Sequence, residues 1–446
     1  MFLSSVRAVV CTRATVPMSI EEPIEEELLS GDRLQRFHPT QPSQLLDGRF
    51  ETVVKLGFGT GSTVWLARNL QFEEGESSIP RYVAVKIGTL DAETSKEREY
   101  LKLIANAKPS HEGLSFIGTP IDDFSIEGPK GTHLCLVYQP MRETLFRFQQ
   151  RCPEHRLPLP IFKLFTYYFL QALDYLHTEC RLIHTDIKDD NIMVTIENDS
   201  VLSDFVSAQE RSPHRRHINT GGRITYVSQN DFGPLRGSLP MPELGDFNLA
   251  FPGPPEGIGH LSPIQSHRYR APEVLLGIAW TSSADIWNLG LLLWNLLENV
   301  TLFNKPAGED GGYDSHVHLA KMVSLLGRPP EALITRERLY RAHKRPKPIV
   351  NPRGKVCKNM NEFWGGPFFD DDNQIVRKDL VEEGKALADT VTQLAGDEKD
   401  LFLDFAGGML QWMPEKRKTA KQLLAHPFLD SFYKDRARFM RDESVD

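Results

Sequence analysis

The sequence is poor in cysteine and lacks any apolar run long enough to span a membrane. Its five cysteines are scattered without a C-x-x-C pair, at positions Cys11, Cys135, Cys152, Cys180 and Cys357. This pattern indicates neither a disulfide framework nor a zinc site, and it favours a reducing compartment. The longest intensely apolar stretch, IWNLGLLLWNLL at 286–297, is shorter than the roughly 18 residues that a bilayer requires. We therefore expect a helix buried inside a domain and no membrane partner.

Excess positive charge is also absent. The chain has 52 lysines and arginines against 60 aspartates and glutamates, which gives a net charge of −8. A broad nucleic-acid-binding surface requires clustered positive charge, so we expect no direct contact with nucleic acid. The hydrophobic share of 40% and the length of 446 residues are typical of a globular protein.

The N-terminal segment 1–18 has the composition of a mitochondrial presequence. It contains Arg7 and Arg13 and several hydroxyl side chains, and no acidic residue precedes Glu21. Two plainer interpretations stay open, namely a leader without a fold and translation that begins at Met18. Without targeting, we expect the protein in the cytoplasm, the nucleus or both.

Patterning along the chain changes from strands to helices. After an extension at 1–45, residues 46–140 are rich in β-branched and alternating residues, and the predicted elements are a hairpin at 48–69, strands at 81–87 and 132–141, and a helix at 93–107. Residues 141–434 are mostly helical, with predicted helices at 160–179, 284–299 and 400–429. The fold class is therefore α+β, a bilobal arrangement with a β-rich N-lobe, a mainly helical C-lobe and a cleft between them.

One long stretch of the helical lobe lacks periodicity. Residues 211–265 are dense in proline, glycine and serine, which indicates a loop or an insertion. A tail follows the last predicted helix at 435–446.

A glycine cluster joins the two strands of the predicted hairpin. The residues G57-F-G59-T-G61-S62-T-V64 are followed by a strand, whereas a dinucleotide site requires a helix after its glycines. A glycine hairpin can fold over phosphate groups and present backbone N–H groups to them. By itself this signal is weak.

A lysine stands within the next strand, in V83-A-V-K86. Lysine is rarely placed on a buried strand face without a partner. Its ammonium group can bridge nucleotide phosphates and a carboxylate of the following helix, either Glu97 or Glu99. Glu97 precedes the apolar positions 100, 101 and 104 by three, four and seven residues, so the periodicity favours Glu97.

The strongest signal is IHTDIKDDNIM at 183–193. His184, Asp186, Lys188 and Asn191 occur at the spacing H-x-D-x-K-x-x-N, between a helix and an apolar strand. In phosphoryl transfer, Asp186 would accept the hydrogen bond of the substrate hydroxyl and Lys188 would balance charge on the transferred group. Asn191 would hold a metal ion.

Further motifs follow in a fixed order: RYRAPEVLLG at 268–277, DIWNLG at 285–290 and MPEKRKTAKQLLAHPF at 413–428. This ordered series resembles the eukaryotic protein kinase fold over about residues 50–434. Within kinases it resembles the SR-protein kinase group of the CMGC kinases, especially divergent fungal relatives. The segments that carry this likeness include KLGFGTGSTVWLARN, HLCLVYQP, SADIWNLG and HLAKMVSLLGRPP.

The resemblance implies a serine/threonine protein kinase that uses ATP and Mg²⁺. It implies an ATP site formed by Leu56, Gly57, Phe58, Gly59, Gly61, Ser62, Val64, Ala84, Lys86, Glu97, Gln139 and Met141. Tyr138 would lie at the back of the adenine pocket, and Ser62 stands where a third glycine is usual. Asp285 would accept backbone N–H groups of the catalytic loop, and Glu273 and Arg417 would form a buried ion pair.

Three aspartates compete to be the second metal ligand, in the segments LSDFVSA, QNDFGPL and LGDFNLA. Asp231 has the literal D-F-G letters but no apolar strand before it. Asp204 follows SVLS, which is typical of a strand, but it lies 69 residues before Glu273, too far for an ordinary activation segment. Asp246 lies 27 residues before Glu273, and Asn248 after it tolerates a positive φ better than Val206 does. We assign Asp246, with Asp204 as the alternative.

The resemblance also has implications for the insertions, the regulation and the substrate of the chain. It places a spacer at 205–243 and an insert at about 302–399, where Glu309, Asp310 and Asp314 could bind arginine-rich peptides. Thr185 replaces the arginine that in most kinases receives an activating phosphate, so we expect constitutive activity. We also expect a monomer. The substrates would be proteins, with Arg/Ser-rich tracts as one class. A pseudokinase scaffold is the alternative, because the metal motif is degenerate and Ser62 replaces a glycine.

Overall fold

The computed structural model describes residues 19–29, 31–90, 94–212, 214–255 and 257–434. The chain forms two units, which we describe one at a time. The first unit comprises Met1–Thr94, Pro120–Arg142 and Ile196–Leu239, and the second comprises Ser95–Thr119, Glu143–Thr195 and Pro240–Asp446. The expected presequence at 1–18 and the tail at 435–446 lie outside the described residues.

A six-stranded antiparallel sheet is the centre of the first unit. Its strands, in spatial order, are Leu45–Leu46, Phe50–Phe58, Ser62–Asn69, Tyr82–Gly88, Gly131–Tyr138 and Asp122–Gly128. The predicted hairpin and the two predicted strands are confirmed. The strand Asp122–Gly128 was not predicted, and half-exposed polar residues occupy much of it, so its pattern is weak.

Each face of this sheet buries an apolar cluster, because alternate residues point to opposite faces. On one face Trp65, Val83 and Val85 pack with Cys135 and Val137. The other face carries a cluster whose sheet members are Val54, Leu56, Leu66 and Ala84. Burying an aliphatic or aromatic side chain of this size contributes about 1.5–3 kcal/mol, so both faces stabilise the sheet.

A helix that begins six residues before the predicted spacer 205–243 covers the second cluster. We name Asp199–Arg211 the spacer helix; the sequence interpretation of SVLSD as a strand is therefore wrong. Asn198 caps the helix by accepting the N–H of Ser200 at 3.1 Å. The apolar positions repeat at helical spacing and pack on the sheet: Val201, Leu202, Phe205 and Val206. The β-branched residues suggested a strand, but the capping residue and this spacing favour a helix.

The described part of the N-terminal extension is also joined to the spacer. Its strand Ser19–Ile20 pairs in parallel with Arg216–Ile218, which in turn pairs with Ile224–Tyr226. Glu27 receives a hydrogen bond from His217 at 2.7 Å. Residues 19–29 and 31–37 thus form a strap, the name we use below, that is held by the spacer.

The second unit is mainly helical, so the α+β prediction of a sheet-rich part and a helical part is confirmed. Its helices are Thr94–Ala107, Leu145–Arg151, Leu159–Asp174, Pro272–Leu276, Ser283–Glu298, Ser315–Leu326, Glu331–Ala342, Met360–Phe363, Gly396–Gly407 and Ala420–Leu424. Short strands lie at Leu182–Ile183, Ile192–Thr195, Pro242–Leu244, Phe251–Pro252, Ile349–Val350 and Val356–Cys357, and Met141–Thr144 spans the boundary between the units.

Ser283–Glu298 is the central helix of this unit. Its residues are buried almost all round, as its uniformly apolar sequence predicts. Asp285 and Asn288 are buried within it, and each makes hydrogen bonds. Across the described ranges, no helix is both long and apolar enough to cross a membrane.

Candidate active site

The predicted catalytic residues lie in one loop, 184–191, between the strands Leu182–Ile183 and Ile192–Thr195. Lys188 Nζ lies 2.5 Å from Asp186 Oδ2, and Asn191 Nδ2 donates to the same oxygen at 2.9 Å. Asn191 Nδ2 also donates to the Asp186 carbonyl at 2.9 Å. The structure therefore brings three of the predicted residues together around one carboxylate.

Two side-chain oxygen atoms of these residues take no part in these bonds. Among the described residues, neither Asp186 Oδ1 nor Asn191 Oδ1 has a hydrogen-bond partner. Asp186 can therefore accept one further hydrogen bond, and Asn191 presents a neutral amide oxygen.

The central helix fixes the backbone of this loop. Asp285 is fully buried, and its two oxygens accept the backbone N–H groups of His184 and Thr185, both at 2.8 Å. His177 Nε2 lies 2.9 Å from the same carboxylate. The predicted contacts of Asp285 with this loop are present.

Asp246 follows a strand that is paired with the end of the loop. Pro242–Leu244 pairs antiparallel with Ile192–Thr195, and Gly245 N donates to Asn191 O at 2.9 Å. His184 Nε2 lies 2.8 Å from the Gly245 carbonyl. The segment that carries Asp246 is therefore bonded to the loop that carries Asp186 and Asn191.

The two rival aspartates occupy different surroundings. Asp204 lies on the spacer helix with its side chain 64% exposed, and it pairs with Arg236. Asp231 lies in a loop of the first unit, where its Oδ1 accepts the N–H of Gly233 at 2.9 Å. Neither is next to the 184–191 loop in sequence or on a strand paired with it.

The backbone at Asp246 differs from the prediction. The sequence predicts a positive φ at Asn248, and this is wrong, because the residue with positive φ is Asp246 itself, at φ 63° and ψ 70°. Phe247–Leu249 instead forms a turn of 3₁₀-helix. Aspartate is among the residues that tolerate the left-handed region, because its short side chain can bond locally.

The 246–249 segment has a second attachment that the sequence did not reveal. Thr185 Oγ1 donates to the Leu249 carbonyl at 2.8 Å, and the Thr185 side chain is buried. The Phe247 ring also packs against His184, with centroids 4.9 Å apart. Thr185 therefore anchors the segment directly, without a phosphate group.

The residues expected around the adenine base and the hairpin turn of the expected ATP site lie together in the first unit. Leu56, Val64, Ala84 and Tyr138 belong to the apolar cluster that also contains the spacer helix. The hairpin turn carries Gly57, Phe58, Gly59, Gly61 and Ser62, and Gly59 N donates to Ser62 O at 2.9 Å. Gln139 and Met141 follow the strand that ends at Tyr138. No motif in the sequence marks the spacer helix as a neighbour of these residues.

Lys86 and Glu97 are placed as the patterns predicted, one in each unit. Lys86 lies in the strand Tyr82–Gly88, next to Ala84 on the same face. Glu97 is buried on the helix Thr94–Ala107 with Leu101 and Ile104, whereas Glu99 is exposed. The ion pair between Lys86 and Glu97 stays a prediction.

The predicted pair of Glu273 and Arg417 is present and fully buried. Its two bonds measure 2.6 and 2.7 Å, and both side chains have zero exposure. Arg417 also donates to the Ser283 carbonyl at 2.9 Å, at the start of the central helix. This pair fixes the segment 271–277 against the central helix.

The carboxylate of Glu243 was not predicted as part of the site. Burial raises the pKa of Glu243 to about 7. It lies on the strand that leads to Asp246, opposite Met193. No motif marks such a residue, because only its burial distinguishes it.

The three acids expected to bind arginine-rich peptides are partly engaged within the chain. Asp314 caps the helix Ser315–Leu326, accepting the N–H groups of His316 and Val317 at 2.7 and 3.3 Å. Asp310 lies 3.2 Å from Arg353 and accepts the N–H of Gly312 at 2.9 Å. Glu309 is exposed. Two of the three carboxylates therefore have partners already.

The donor chemistry of the site suits magnesium. In the part of the chain that the structure describes, no group of three or more His, Cys, Asp or Glu side chains is arranged to hold a metal. Mg²⁺, however, is commonly held by one or two protein oxygens, with water and phosphate oxygens completing the octahedron. The open amide oxygen of Asn191 and the carboxylate of Asp246, whose segment is bonded to Asn191 through the N–H of Gly245, fit that pattern.

Comparison with known proteins agrees with this geometry. Residues 50–230 and 241–429 match the protein kinase domain family. The chain is 32% identical to a serine/threonine protein kinase of Aspergillus fumigatus, over 91% of each chain. It is 26% identical to the serine/threonine-protein kinase SRPK of Physarum polycephalum, over 88% of each.

A solved kinase domain has a similar fold. Its TM-score is 0.58 at 23% identity, over 89% of this chain and 99% of that one. The predicted bilobal kinase fold, the serine/threonine kinase class and the resemblance to SR-protein kinases are thus confirmed. The chain belongs to the protein kinase domain family.

Proposed function

We propose that this chain phosphorylates serine and threonine hydroxyls of proteins with Asp186, Lys188, Asn191 and Asp246 as its working residues. The observation that supports this most is the set of bonds converging on Asp186. Two donors hold Oδ2, so Oδ1 is oriented to accept the hydrogen bond of a substrate hydroxyl. Lys188, beside it, places positive charge where negative charge on the transferred group would develop.

ATP and Mg²⁺ are the cofactors that the protein kinase family uses, and the residues present fit both. Asn191 and Asp246 would hold the metal ion, which when bound neutralises charge on the phosphates. Leu56, Val64 and Ala84, which share their apolar cluster with the spacer helix, would contact the base. Lys86 would bind the nucleotide phosphates through its ammonium group.

Activity without activation-segment phosphorylation is supported by Thr185. Its hydroxyl makes the bond to Leu249 that anchors the segment after Asp246. A phosphate-dependent switch requires a basic receptor, and threonine cannot act as one. Phosphatase treatment should leave turnover unchanged; abolished turnover would contradict this part of the proposal.

Arg/Ser-rich protein segments are one substrate class, which the resemblance to SR-protein kinases supports. The proposed activity as a whole is tested by transfer of labelled phosphate from ATP to a generic basic protein and to an arginine-serine peptide. Asp186→Ala should abolish transfer to both. If the purified chain transfers no phosphate to either and shows no Mg-dependent thermal shift with ATP, a pseudokinase scaffold replaces this proposal.

A further inference from the structure

A cavity of about 530 Å³ lies within the first unit, between the six-stranded sheet and the spacer. The spacer helix packs on one face of this sheet through Phe205 and Val206, and Tyr226 packs on the opposite face. Residues 51–53 of the strand Phe50–Phe58 line the cavity together with residues 209, 210, 212, 214, 216 and 226 of the spacer. A volume of this size is typical of a site for a small molecule.

The two carboxylates of the lining, Glu51 and Glu210, both pair with Arg68. Arg68 Nη1 lies 3.3 Å from Glu51 Oε2, and Arg68 Nη2 lies 2.5 Å from Glu210 Oε1. The second oxygen of each carboxylate has no hydrogen-bond partner among the described residues. This side of the lining can therefore accept hydrogen bonds from neutral groups such as hydroxyls.

The other cation of the lining, Arg216, is not paired in this way. Its side chain is half-buried, and within the described ranges its guanidinium makes neither a hydrogen bond nor an ion pair. Arg216 lies directly opposite Tyr226 in an antiparallel strand pair, so the two side chains share a face and their Cβ atoms are about 4.5–5.5 Å apart. The guanidinium is therefore available to an anion in the cavity.

The hydroxyl group of Tyr226 is a second available donor. Tyr226 is only 6% exposed, yet its hydroxyl has no hydrogen-bond partner in the part of the chain that the structure describes. Polar groups at buried residues are normally hydrogen-bonded, so this hydroxyl favours a ligand that offers an acceptor.

His214 is a third donor beside them. Its ring packs edge-on against the Tyr226 ring, with centroids 6.3 Å apart. Burial lowers the pKa of His214, so near neutral pH the ring is uncharged and keeps one N–H group to donate. We name Arg216, Tyr226 and His214 the donor cluster. The lining thus offers donors with one net positive charge on one side and carboxylate acceptors on the other.

We propose that this cavity binds a small organic anion that also carries hydroxyl groups, such as a sugar monophosphate or a sugar acid. The donor cluster would bind the phosphoryl or carboxylate group, and Glu51 and Glu210 would accept hydrogen bonds from the hydroxyls. Charge-assisted hydrogen bonds of the first kind are among the strongest that proteins make. A single unpaired cation suits a ligand with a single anionic group.

The test compares four compounds by titration calorimetry: glucosyl phosphate, glucuronate, glucose and inorganic phosphate. We expect glucosyl phosphate or glucuronate to bind about tenfold or more tightly than both glucose and inorganic phosphate. Tighter binding of glucosyl phosphate would identify a phosphoryl ligand, and tighter binding of glucuronate would identify a carboxylate. Equal affinity for all four compounds, or no binding of either hydroxyl-bearing anion, would overturn the proposal.

Two variants assign the binding to the donor cluster. Arg216→Gln should weaken binding of the tighter compound by about tenfold. Tyr226→Phe removes a hydroxyl that makes no bond within the described chain, so the fold should be retained and binding should weaken by about threefold.

Arg215→Gln is the matched control, because Arg215 is an exposed neighbouring cation outside the lining. It removes the same charge and should leave the affinity unchanged. Equal weakening in Arg215→Gln and Arg216→Gln would show general attraction to positive charge and would overturn the proposal.

Competition with nucleotide tests whether the compound binds in this cavity. None of the residues expected to form the ATP site lines it, so saturating ATP with Mg²⁺ should leave the affinity for the tighter compound unchanged. Displacement of that compound by ATP would place it in the nucleotide site and would contradict the proposal.

Discussion

The Asp285 carboxylate accepts the backbone N–H of Thr185 at 2.8 Å, and Thr185 stands at φ 70°. A β-branched residue resists this left-handed conformation, so the surrounding bonds must hold it. The second Asp285 oxygen does the same for His184 at 2.8 Å. A buried side chain of the central helix therefore fixes the conformation of the loop that carries Asp186.

Replacing Asp285 should reduce turnover more than nucleotide binding. In Asp285→Asn the amide group turns one N–H towards a backbone N–H, so one buried donor loses its acceptor. We expect kcat to fall by about tenfold or more and stability to fall by about 1–3 kcal/mol. The measurement is steady-state kinetics with urea unfolding. Asp204→Asn on the exposed face of the spacer helix is the matched control and should change neither.

Breaking the Glu273–Arg417 pair should destabilise the second unit strongly. Arg417→Met leaves the fully buried Glu273 carboxylate without its partner, and such losses cost about 3–5 kcal/mol. Arg336 and Glu415 form a comparable pair at the surface, so Arg336→Met should cost less than about 1 kcal/mol. Urea unfolding of both variants checks the contrast. Equal losses would mean that burial does not determine the strength of these pairs.

The strap should stabilise the hairpin through Lys55. Its Nζ, 1% exposed, lies 2.6 Å from Glu25 and also bonds Glu26 and the Tyr226 carbonyl. Lys55→Met leaves two carboxylates without their cation and should cost about 3 kcal/mol. Arg68→Met, whose pairs are exposed, should cost less than about 1 kcal/mol. The hydrogen exchange of residues 19–29 should rise in the Lys55 variant alone; unchanged exchange would show that the strap is held by other contacts.

Glu243 should make stability fall as pH rises. Its pKa is raised by burial from 4.5 to about 7 in the folded chain, so between these values the folded state holds a proton that the unfolded state has lost. The folded state is therefore progressively penalised through this window, and the loss is complete above pH 7.

Glu243→Gln should remove that loss. The variant should match the wild type in acid and exceed it by about 3 kcal/mol above neutrality. Urea unfolding at about pH 5 and about pH 8 measures the difference. Glu99→Gln, at an exposed helix position, is the control. A stability difference for Glu243→Gln that is the same at both pH values would contradict the assignment.

Sequence patterns were most informative where chemistry fixes residue type and spacing. The loop with Asp186, Lys188 and Asn191, the Glu273–Arg417 pair and the Asp285 contacts follow from such motifs, because each role requires one kind of side chain. The buried position of Glu97 followed from helical periodicity, since its apolar neighbours mark the covered face.

Features that depend on long-range packing could not be predicted from residue type and spacing. The strand predicted at SVLSD is a helix. Val201 and Leu202 are compatible with the periodicity of a strand and with that of a helix, and their packing on the sheet selects the helix. The strap depends on partners almost 200 residues away in sequence, such as His217 for Glu27. The residue with positive φ is Asp246 and not Asn248. Hydrogen bonds from the 184–191 loop, and not residue preference, determine the backbone conformation of this segment.

The most direct measurement is phosphate transfer by Asp246→Asn, Asp204→Asn and Asp231→Asn, each compared with wild type at saturating Mg²⁺ and ATP. We expect Asp246→Asn to lose transfer by about a thousandfold or more, and the other two variants to keep it within about threefold. Retained transfer in Asp246→Asn together with loss in Asp204→Asn would contradict the site described here.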